Sequence, residues 1–383
     1  MLLNNKKIAI IGGGPGGLTL ARLLQLNGSE IKVYERDYNK DVRVQGATLD
    51  LHDESGLEAL KRAGLLEVFY SNYRPNAGKM RIVDQNMNIF HDDHHNKEYS
   101  EDRPEIDRGP LRKILLDSLK PGTVVWDSNF TSLEKNGNGW TIHFKNGNSE
   151  YADLVIAADG ANSKIRPYVT EISPIYSGVT ILEGNIYNAD KNAPILNKLV
   201  KGGKVCAFYN SKSIILSSKG DGSLSFYTGC KIDENWAENS GIDFKNKQSI
   251  FNWFKQEFSD WNLGWNELFS GDEVWCMARP QYHFPLDQTW ETLPGLTMLG
   301  DAAHRMPPYA GEGVNMALQD AFELAECLTH NNFKTIKEAL SCYEEQMKKR
   351  ASKVTEDTLD NTEMLHSESA LELMVSMMKG EFF

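Results

Sequence analysis

Residues 7–37, KIAIIGGGPGGLTLARLLQLNGSEIKVYERD, decide how the rest of this 383-residue chain is read. Lys7 to Ile11 is a short, Ile-rich apolar run, the pattern of a strand buried in a parallel sheet. Gly12, Gly14 and Gly17 follow it in the spacing G-x-G-x-x-G. Leu18 to Leu26 carries an apolar face at Leu20, Leu23 and Leu24, which predicts a helix, and Gly28 ends it. Ile31 to Tyr34 predicts a second strand closing on Glu35. The unit is β-α-β. One glycine makes the tight turn, one lets backbone approach a pyrophosphate and one lets helix pack on strand. The diphosphate would sit on the free N–H groups of the helix N-terminus. Glu35, 21 residues past Gly14, is placed to accept hydrogen bonds from a ribose. The glycine spacing alone also occurs in turns that bind nothing. The strand before it, the helix after it and the acid at the second strand's end are what point to a dinucleotide site.

The global composition narrows the partners. Forty-one basic against 53 acidic residues give a net charge of −12, which argues against nucleic acid or an anionic membrane as the main partner. The five cysteines (Cys206, Cys230, Cys276, Cys327, Cys342) lie far apart with no C-x-x-C. Neither a zinc site nor a disulfide framework is expected, and a reducing cytoplasm is the natural setting. No signal-peptide pattern opens the chain, and no apolar run reaches the roughly 18 residues that a membrane span needs. The expectation is a soluble, cytoplasmic protein.

Along the chain, Arg36 and Arg43 lie near the adenosine end of the site, and Gly46 to Leu51 is extended, leading to a helix from about Ser55 to Gly64. Ala77 to Phe90 reads as a hairpin turning at Asp84 to Asn88. The stretch His91 to Asp102 holds three histidines and several acids but shows no pairing register, so a solvated loop is expected rather than a metal site. Arg108 and Arg112 flank the start of a helix from Pro110 to Leu119. Leu154 to Ala158 is a second buried strand ending on Asp159-Gly160, within D-G-x-x-S-x-x-R through Ser163 and Arg166. An acid and a glycine there lie where open α/β sheets bind ligands.

From Ser177 to Met277 the β-α-β pattern stops. Strands at Val179 to Ile186, Lys204 to Tyr209, Ser213 to Ser218 and Ser223 to Lys231 precede a helix at Lys247 to Phe258 and an aromatic-rich tail, Trp261 to Trp275. This predicts a mostly antiparallel second domain, inserted in the first. Leu296 to Leu299 returns to a strand and ends at Gly300-Asp301-Ala302-Ala303-His304; a Gly-rich stretch, Met306 to Asn315, starts a helix running to Cys327. His304 is expected to be packed and hydrogen-bonded rather than catalytic. The tail is helical by its spacing at Ile336, Leu340, Tyr343 and Met347, and again at Leu371, Met374, Val375 and Met378. The expected division is residues 1–176 and 278–345 for the dinucleotide-binding domain, 177–277 for the substrate domain and 346–383 for a helical segment bridging them.

The three strand tips (the Gly-rich loop, Asp159-Gly160 and Gly300-Asp301) together resemble the group A FAD-dependent aromatic hydroxylases, the para-hydroxybenzoate hydroxylase-like family, over nearly the whole chain. The resemblance implies an α/β fold: a Rossmann-like FAD-binding domain with an inserted, mostly antiparallel β-sheet substrate domain and a C-terminal bridging helix. Within that family the chain is similar to the TetX-type enzymes that hydroxylate and inactivate tetracyclines. The similarity rests on YERD at Tyr34–Asp37, GATLDLH at Gly46–His52, AGLL at Ala63–Leu66, PEIDR at Pro104–Arg108, FSDW at Phe258–Trp261 and GDAAHRMPPYAGEGVN at Gly300–Asn315.

What the resemblance implies can be stated residue by residue. Glu35 and Arg36 would hold the adenosine part of FAD, and Arg43 would face NADPH or NADH. Gly12, Gly14, Gly17, Asp50, Arg108, Arg112, Asp159, Gly160 and Asp301 would contact FAD, joined by Pro308, Gly311, Gly313, Val314 and Asn315. Glu183, Lys204 and Ser225 stand where those enzymes present Gln, Arg and His to substrate, and Pro308, Tyr309 (Phe in those enzymes) and Met364 complete the set. If Glu183 and Lys204 both face the pocket they would pair with one another, and exchanging Lys204 for Ala would shift substrate affinity more than FAD content. No catalytic side chain is implied, because the flavin carries the chemistry. The implied function is an NAD(P)H-consuming monooxygenase, acting as a monomer through a flavin C4a-hydroperoxide with O2 on a phenolic or enolic polycyclic substrate, as in tetracycline inactivation and antibiotic resistance. The alternatives are an FAD-dependent reductase or dehydrogenase of the same fold, or a hydroxylase of a different aromatic substrate.

Overall fold

The computed structural model describes residues 2–42, 47–97, 99–271, 274–330 and 332–381. A five-stranded sheet runs in the order Leu296–Met298, Leu154–Ala157, Ile8–Ile11, Ile31–Tyr34, Val124–Val125, and every neighbouring pair is parallel. Ile8–Ile11 and Leu154–Ala157 have only apolar side chains and are buried throughout. Their core takes in the helices Pro15–Leu26, Gly313–Thr329 and Ile336–Leu365 and a small antiparallel sheet of Phe130–Asn136, Gly139–Phe144 and Ser149–Ala152. The first helix begins at Pro15, earlier than its apolar spacing indicates, because proline's fixed φ suits a first helical turn.

The second sheet has seven strands, in the order Val274–His283, Ile175–Ile186, Leu224–Lys231, Lys212–Ser218, Lys204–Tyr209, Met80–Val83, Ile89–Asp92. All its pairs are antiparallel except Lys204–Tyr209 with Met80–Val83. It is therefore wider than residues 177–277. The hairpin near residue 80, expected in the dinucleotide-binding part, supplies two of its strands, and the last strand continues to His283. Pairing between segments over a hundred residues apart leaves no local pattern to read.

One face of this sheet is apolar, with Leu182, Val205, Ala207, Ile214, Leu216 and Phe226 in a core closed by Leu196, Ile250, Phe254, Trp265 and Phe269. The alternate residues make the opposite face, taken up below. The helix Ile336–Leu365 starts in a Thr335–Glu338 capping box and puts Leu340, Tyr343 and Met347 into the first core. Its end, with Met364 and Leu365, and the helix Ala370–Met378 pack on Ile82, Cys206 and Phe208 of the large sheet. The C-terminal segment thus bridges both bodies.

The glycine loop gives a stability test. An alanine replacing an interior helical glycine ordinarily stabilises by about 1 kcal/mol. At Gly17 the added Cβ would lie 2.3 Å from the Gly12 carbonyl oxygen, whereas at Gly14 nothing lies within 4 Å. Overpacking of this kind costs about 1–3 kcal/mol. Gly17→Ala is expected to lower the melting temperature of the cofactor-free chain and Gly14→Ala to leave it unchanged, as measured by circular dichroism.

Candidate functional site

Gly12 leaves the first strand at φ +114°, and a Cβ on it would meet the Ala158 oxygen at 2.2 Å, so only glycine lets the first and second motifs touch. Gly14 caps the helix Pro15–Leu26 without any side-chain hydrogen bond, and no acid occupies the first turn. The helix therefore presents N–H groups that no side chain of its own first turn or cap satisfies. Glu35, only 2 % exposed, accepts from the Gly13 N–H at 2.7 Å and from the Asp37 N–H at 3.1 Å. Its carboxylate holds the glycine loop to the second strand, and lone pairs remain for a ribose.

Arg36 is exposed beside it. Arg112 is buried, donating to the Lys40 carbonyl at 2.8 Å and to Asp37 at 3.3 Å, with its guanidinium 5.4 Å from the Trp126 ring. Its described contacts pin the segment after Glu35. Arg43 lies outside the described residues.

The second motif ends in Gly160 at φ +83°. One Asp159 oxygen accepts the Lys164 N–H at 2.8 Å, while the other is buried without a partner among the described residues. Burial raises this carboxyl despite the hydrogen bonds from Ser163 and Lys164. Arg166, at the motif's end, crosses to the third strand tip. It donates to the carbonyls of Ala302 and Ala303 at 3.1 and 2.9 Å and to Gln288 at 2.8 Å, its guanidinium 3.4 Å over Phe284. Burial lowers its pKa to about 10.

At the third tip, the buried carboxylate of Asp320 accepts from the Gly300 N–H at 2.7 Å, from His304 Nε2 at 2.5 Å and from Arg350 at 2.5 Å. His304 is thus packed and paired rather than presented to a ligand. Asp301 is open to water although protein crowds its other sides. That crowding raises its carboxyl, against the pull of His304, Arg108 and Arg305. Arg108 is exposed at the start of the helix Arg108–Asp117 and acts electrostatically on both Asp301 and Tyr227 of the large sheet.

Asn315 is fully buried, and its amide is spent on protein. Oδ1 accepts from the His52 N–H at 3.0 Å, and Nδ2 donates to the carbonyls of Asp50 and Gly311 at 2.9 and 3.2 Å. It is a clamp between the Leu49–Asp50 strand and the loop of Pro308, Tyr309 and Gly311; only its backbone is left for a cofactor. A Cβ on Gly311 would approach the Asp50 carboxylate to 3.2 Å. Gly313 opens the helix Gly313–Thr329, where Val314 is half-buried. His52, not singled out in the sequence, lies 3.2 Å from Asp50 and 3.4 Å from Glu312. Burial alone would lower its pKa, but hydrogen bonds to these two carboxylates raise it to about 9.

The second face of the large sheet looks onto these loops. The register aligns Asn185, Ser225, Ser217 and Lys204 in one row and Glu183, Tyr227, Ile215 and Cys206 in the next. Glu183, Lys204 and Ser225 thus share one face, but the expected Glu183–Lys204 pair does not form. Lys204 pairs with Glu105, which is 1 % exposed, and Glu183 pairs with Arg279. Glu183 and Lys204 lie in different rows and three strands apart, and nearer partners intervene. Replacing Lys204 by Ala would strand a buried carboxylate, so that substitution would report on folding more than on substrate affinity. Ser225 Oγ is buried without a hydrogen-bond partner among the described residues. Pro308 is exposed, while Tyr309 and Met364 are half-buried against the Ile82, Cys206 and Phe208 cluster.

A family model described as an FAD binding domain matches residues 5–240 and 294–358. The chain belongs to this family, that of the FAD-dependent aromatic hydroxylases. It is similar to monooxygenase penA of Penicillium thymicola, 26% identical over 430 residues with 98% of each chain covered. It is also similar to 6-hydroxynicotinate 3-monooxygenase of Pseudomonas fluorescens, 28% identical over 376 residues, covering 93% of this chain and 91% of that one. In fold it matches Klebsiella pneumoniae HpxO complexed with FAD and uric acid, with a TM-score of 0.77, 20% identity and coverage of 99% and 94%. The tetracycline destructase Tet(55) gives 0.78, 21%, 99% and 96%. The enzyme class is FAD-dependent monooxygenase.

The residues present fit that cofactor. The uncapped helix at Gly14, with open space where a Cβ would be, suits a diphosphate, and the unpartnered Asp159 oxygen suits a hydroxyl donor.

The His52 pair carries a pH signature. Its folded pKa is raised, so its contribution is complete below its ordinary value of 6.5 and is lost as pH climbs through about 9. The stability difference between the wild-type chain and His52→Gln, measured by urea unfolding, is expected to shrink between those limits.

Proposed function

We propose that this enzyme hydroxylates a phenolic or enolic polycyclic substrate with NAD(P)H and O2, tetracyclines being among the candidates. The substrate would lie between the polar face of the large sheet and the loops of Asp50, Asp301 and Gly311. The observation that carries this reading is the asymmetry of that sheet. One face is sealed by apolar side chains, and the other offers Asn185, Ser225, Glu183, Tyr227 and Arg279 toward the strand tips.

When bound, FAD supplies hydride acceptance from NAD(P)H and activation of dioxygen. The free N–H groups after Gly14 would hold its diphosphate and Glu35 its ribose. Asp159, Asp301, Arg108 and the backbone of 311–315 would fix the remainder across the tips. The sheet and the Tyr309 loop would orient the substrate and keep water out. Three cations on this face of the sheet, Lys204, Arg279 and Lys231, are matched by the carboxylates of Glu105, Glu183 and Glu363. A site with paired charges favours a neutral, oxygen-rich substrate over an aromatic acid needing an uncompensated cation.

The test is turnover of the FAD-loaded protein with NADPH or NADH under isotopically labelled dioxygen. The substrates would be tetracyclines and smaller phenols, with and without a carboxylate. Substrate-dependent NAD(P)H oxidation and a product carrying one labelled oxygen are expected, with neutral substrates preferred. Turnover that proceeds without oxygen, or a product lacking the label, would assign a reductase or dehydrogenase instead. Ser225→Ala, which removes an unpartnered hydroxyl, is expected to raise KM roughly two- to twelvefold with FAD content unchanged.

A further inference from the structure

His366 lies outside every motif of the sequence and has no solvent exposure. It follows the last turn of the helix Ile336–Leu365, and its Nδ1 sits 2.7 Å from the Thr362 carbonyl oxygen. A carbonyl only accepts, so Nδ1 carries the hydrogen and the Nε2 of the neutral ring is a lone pair. Two hydroxyls reach that lone pair, Tyr309 at 3.2 Å and Ser213 at 3.2 Å. The ring accepts a hydrogen from only one of them at a time, and the Ser213 hydroxyl also stands beside that of Tyr309.

The cluster is built for closeness. A Cβ on Gly229 would sit 2.4 Å from His366 Nε2, 2.6 Å from Ser213 Oγ and 2.8 Å from the Tyr309 hydroxyl oxygen. The phenol ring packs edge-on to the imidazole with centroids 4.9 Å apart, and Asn361 donates to the Tyr309 carbonyl at 3.4 Å. Four elements therefore meet here: two strands of the large sheet, the C-terminal helix and the loop that continues to Gly311 and Asp50.

The charged groups acting on the imidazole are Lys231, which disfavours its protonation, and Glu363, which favours it; they pair with each other at 2.5 Å. Burial dominates and keeps the ring neutral. Around the phenol stand Cys230, Tyr176 and Tyr227, and with burial they hold Tyr309 protonated.

We propose that His366 is a positioning residue: as a neutral acceptor it holds Tyr309, and with it the 307–311 loop, against the substrate face of the sheet. This rests on the function proposed above, in which that loop orients the substrate and keeps water out. The lock fixes where the loop stands against the sheet and keeps water from the space between them. Protonating the ring would turn its acceptor into a donor and force both hydroxyls to reorient.

Four proteins test this: wild type, His366→Gln, His366→Leu and Tyr309→Phe. Glutamine can donate to Thr362 and accept from a hydroxyl without titrating; leucine and phenylalanine break the link. In cofactor-free protein, chymotrypsin cleavage in the 307–311 loop, read by mass spectrometry, is expected to be about fivefold faster in His366→Leu than in wild type and unchanged in His366→Gln. With FAD and NADPH and no added substrate, peroxide release is expected to rise by a similar factor in His366→Leu and Tyr309→Phe at equal FAD content. Wild type should show the same rise as pH falls below the ordinary histidine value of 6.5, and His366→Gln should not. Wild-type cleavage and peroxide rates in both His366→Leu and Tyr309→Phe would overturn the proposal, as would an identical acid limb in His366→Gln. Should His366→Leu fail to fold, Tyr309→Phe against His366→Gln decides the matter by the peroxide readout. Absence of NADPH-dependent flavin reduction in every protein would sink the proposed function instead, with the cleavage arm still deciding the lock.

Discussion

The alignment of the three strand tips depends on one carboxylate that never meets water. Burying the charge of Asp320 costs several kcal/mol, a penalty offset only when its lone pairs are filled by well-placed donors. Gly300 N–H, His304 Nε2 and an Arg350 nitrogen fill them. Burial pushes the Asp320 carboxyl up, and His304 and Arg350 together bring it below its ordinary value, so it stays charged. The backbone donor belongs to Gly300, which sits at φ +59° and turns the chain so that Asp301 reaches the surface. Arg350 belongs to the long helix, whose Tyr343 hydroxyl also donates to the Met298 carbonyl at 3.0 Å. That helix is therefore fastened to both the strand and the turn at its tip.

The other two tips are welded to the third by equally short-range chemistry. Arg166 carries the second motif onto the carbonyls behind Asp301, and the missing Cβ atoms of Gly12 and Gly17 bring the first motif against the second. Hydrogen bonds to a charged donor are worth about 1.5–3 kcal/mol each, so this bracing is strong relative to a domain's net stability. A dinucleotide spanning all three tips would meet a frame already set. That preorganisation is what a protein can add to chemistry that belongs to the cofactor.

The parts legible in the sequence are those whose cause is local. The apolar runs Ile8–Ile11 and Leu154–Ala157 announce buried parallel strands, and the glycine spacing with Glu35 announces the turn from the first of them into the helix Pro15–Leu26. His304 reads as packed because it follows a Gly-Asp turn into a helix, and its contact with Asp320 accords with that. The parts that stay hidden are pairings across long separations. Met80–Val83 joins a sheet whose neighbouring strand begins at Lys204, and Lys204 finds Glu105 rather than Glu183. His366 had no signal at all, since a lone histidine after a helix acquires its meaning only from Ser213 and Tyr309 being folded onto it.

The charge pattern of the large sheet bears on what the enzyme selects. A cation left unpaired on a buried face is costly before any ligand arrives, and a ligand's carboxylate could recover that cost. Here Glu105 and Glu183 already neutralise Lys204 and Arg279, so an aromatic acid would have to compete with an intramolecular carboxylate for either. Ser225 Oγ, by contrast, is buried with no hydrogen bond among the described residues, and a ligand hydroxyl or carbonyl would satisfy it without displacing any of them. Selectivity on this face would then arise from hydrogen bonding to uncharged oxygen, with the paired ions serving as rigid walls.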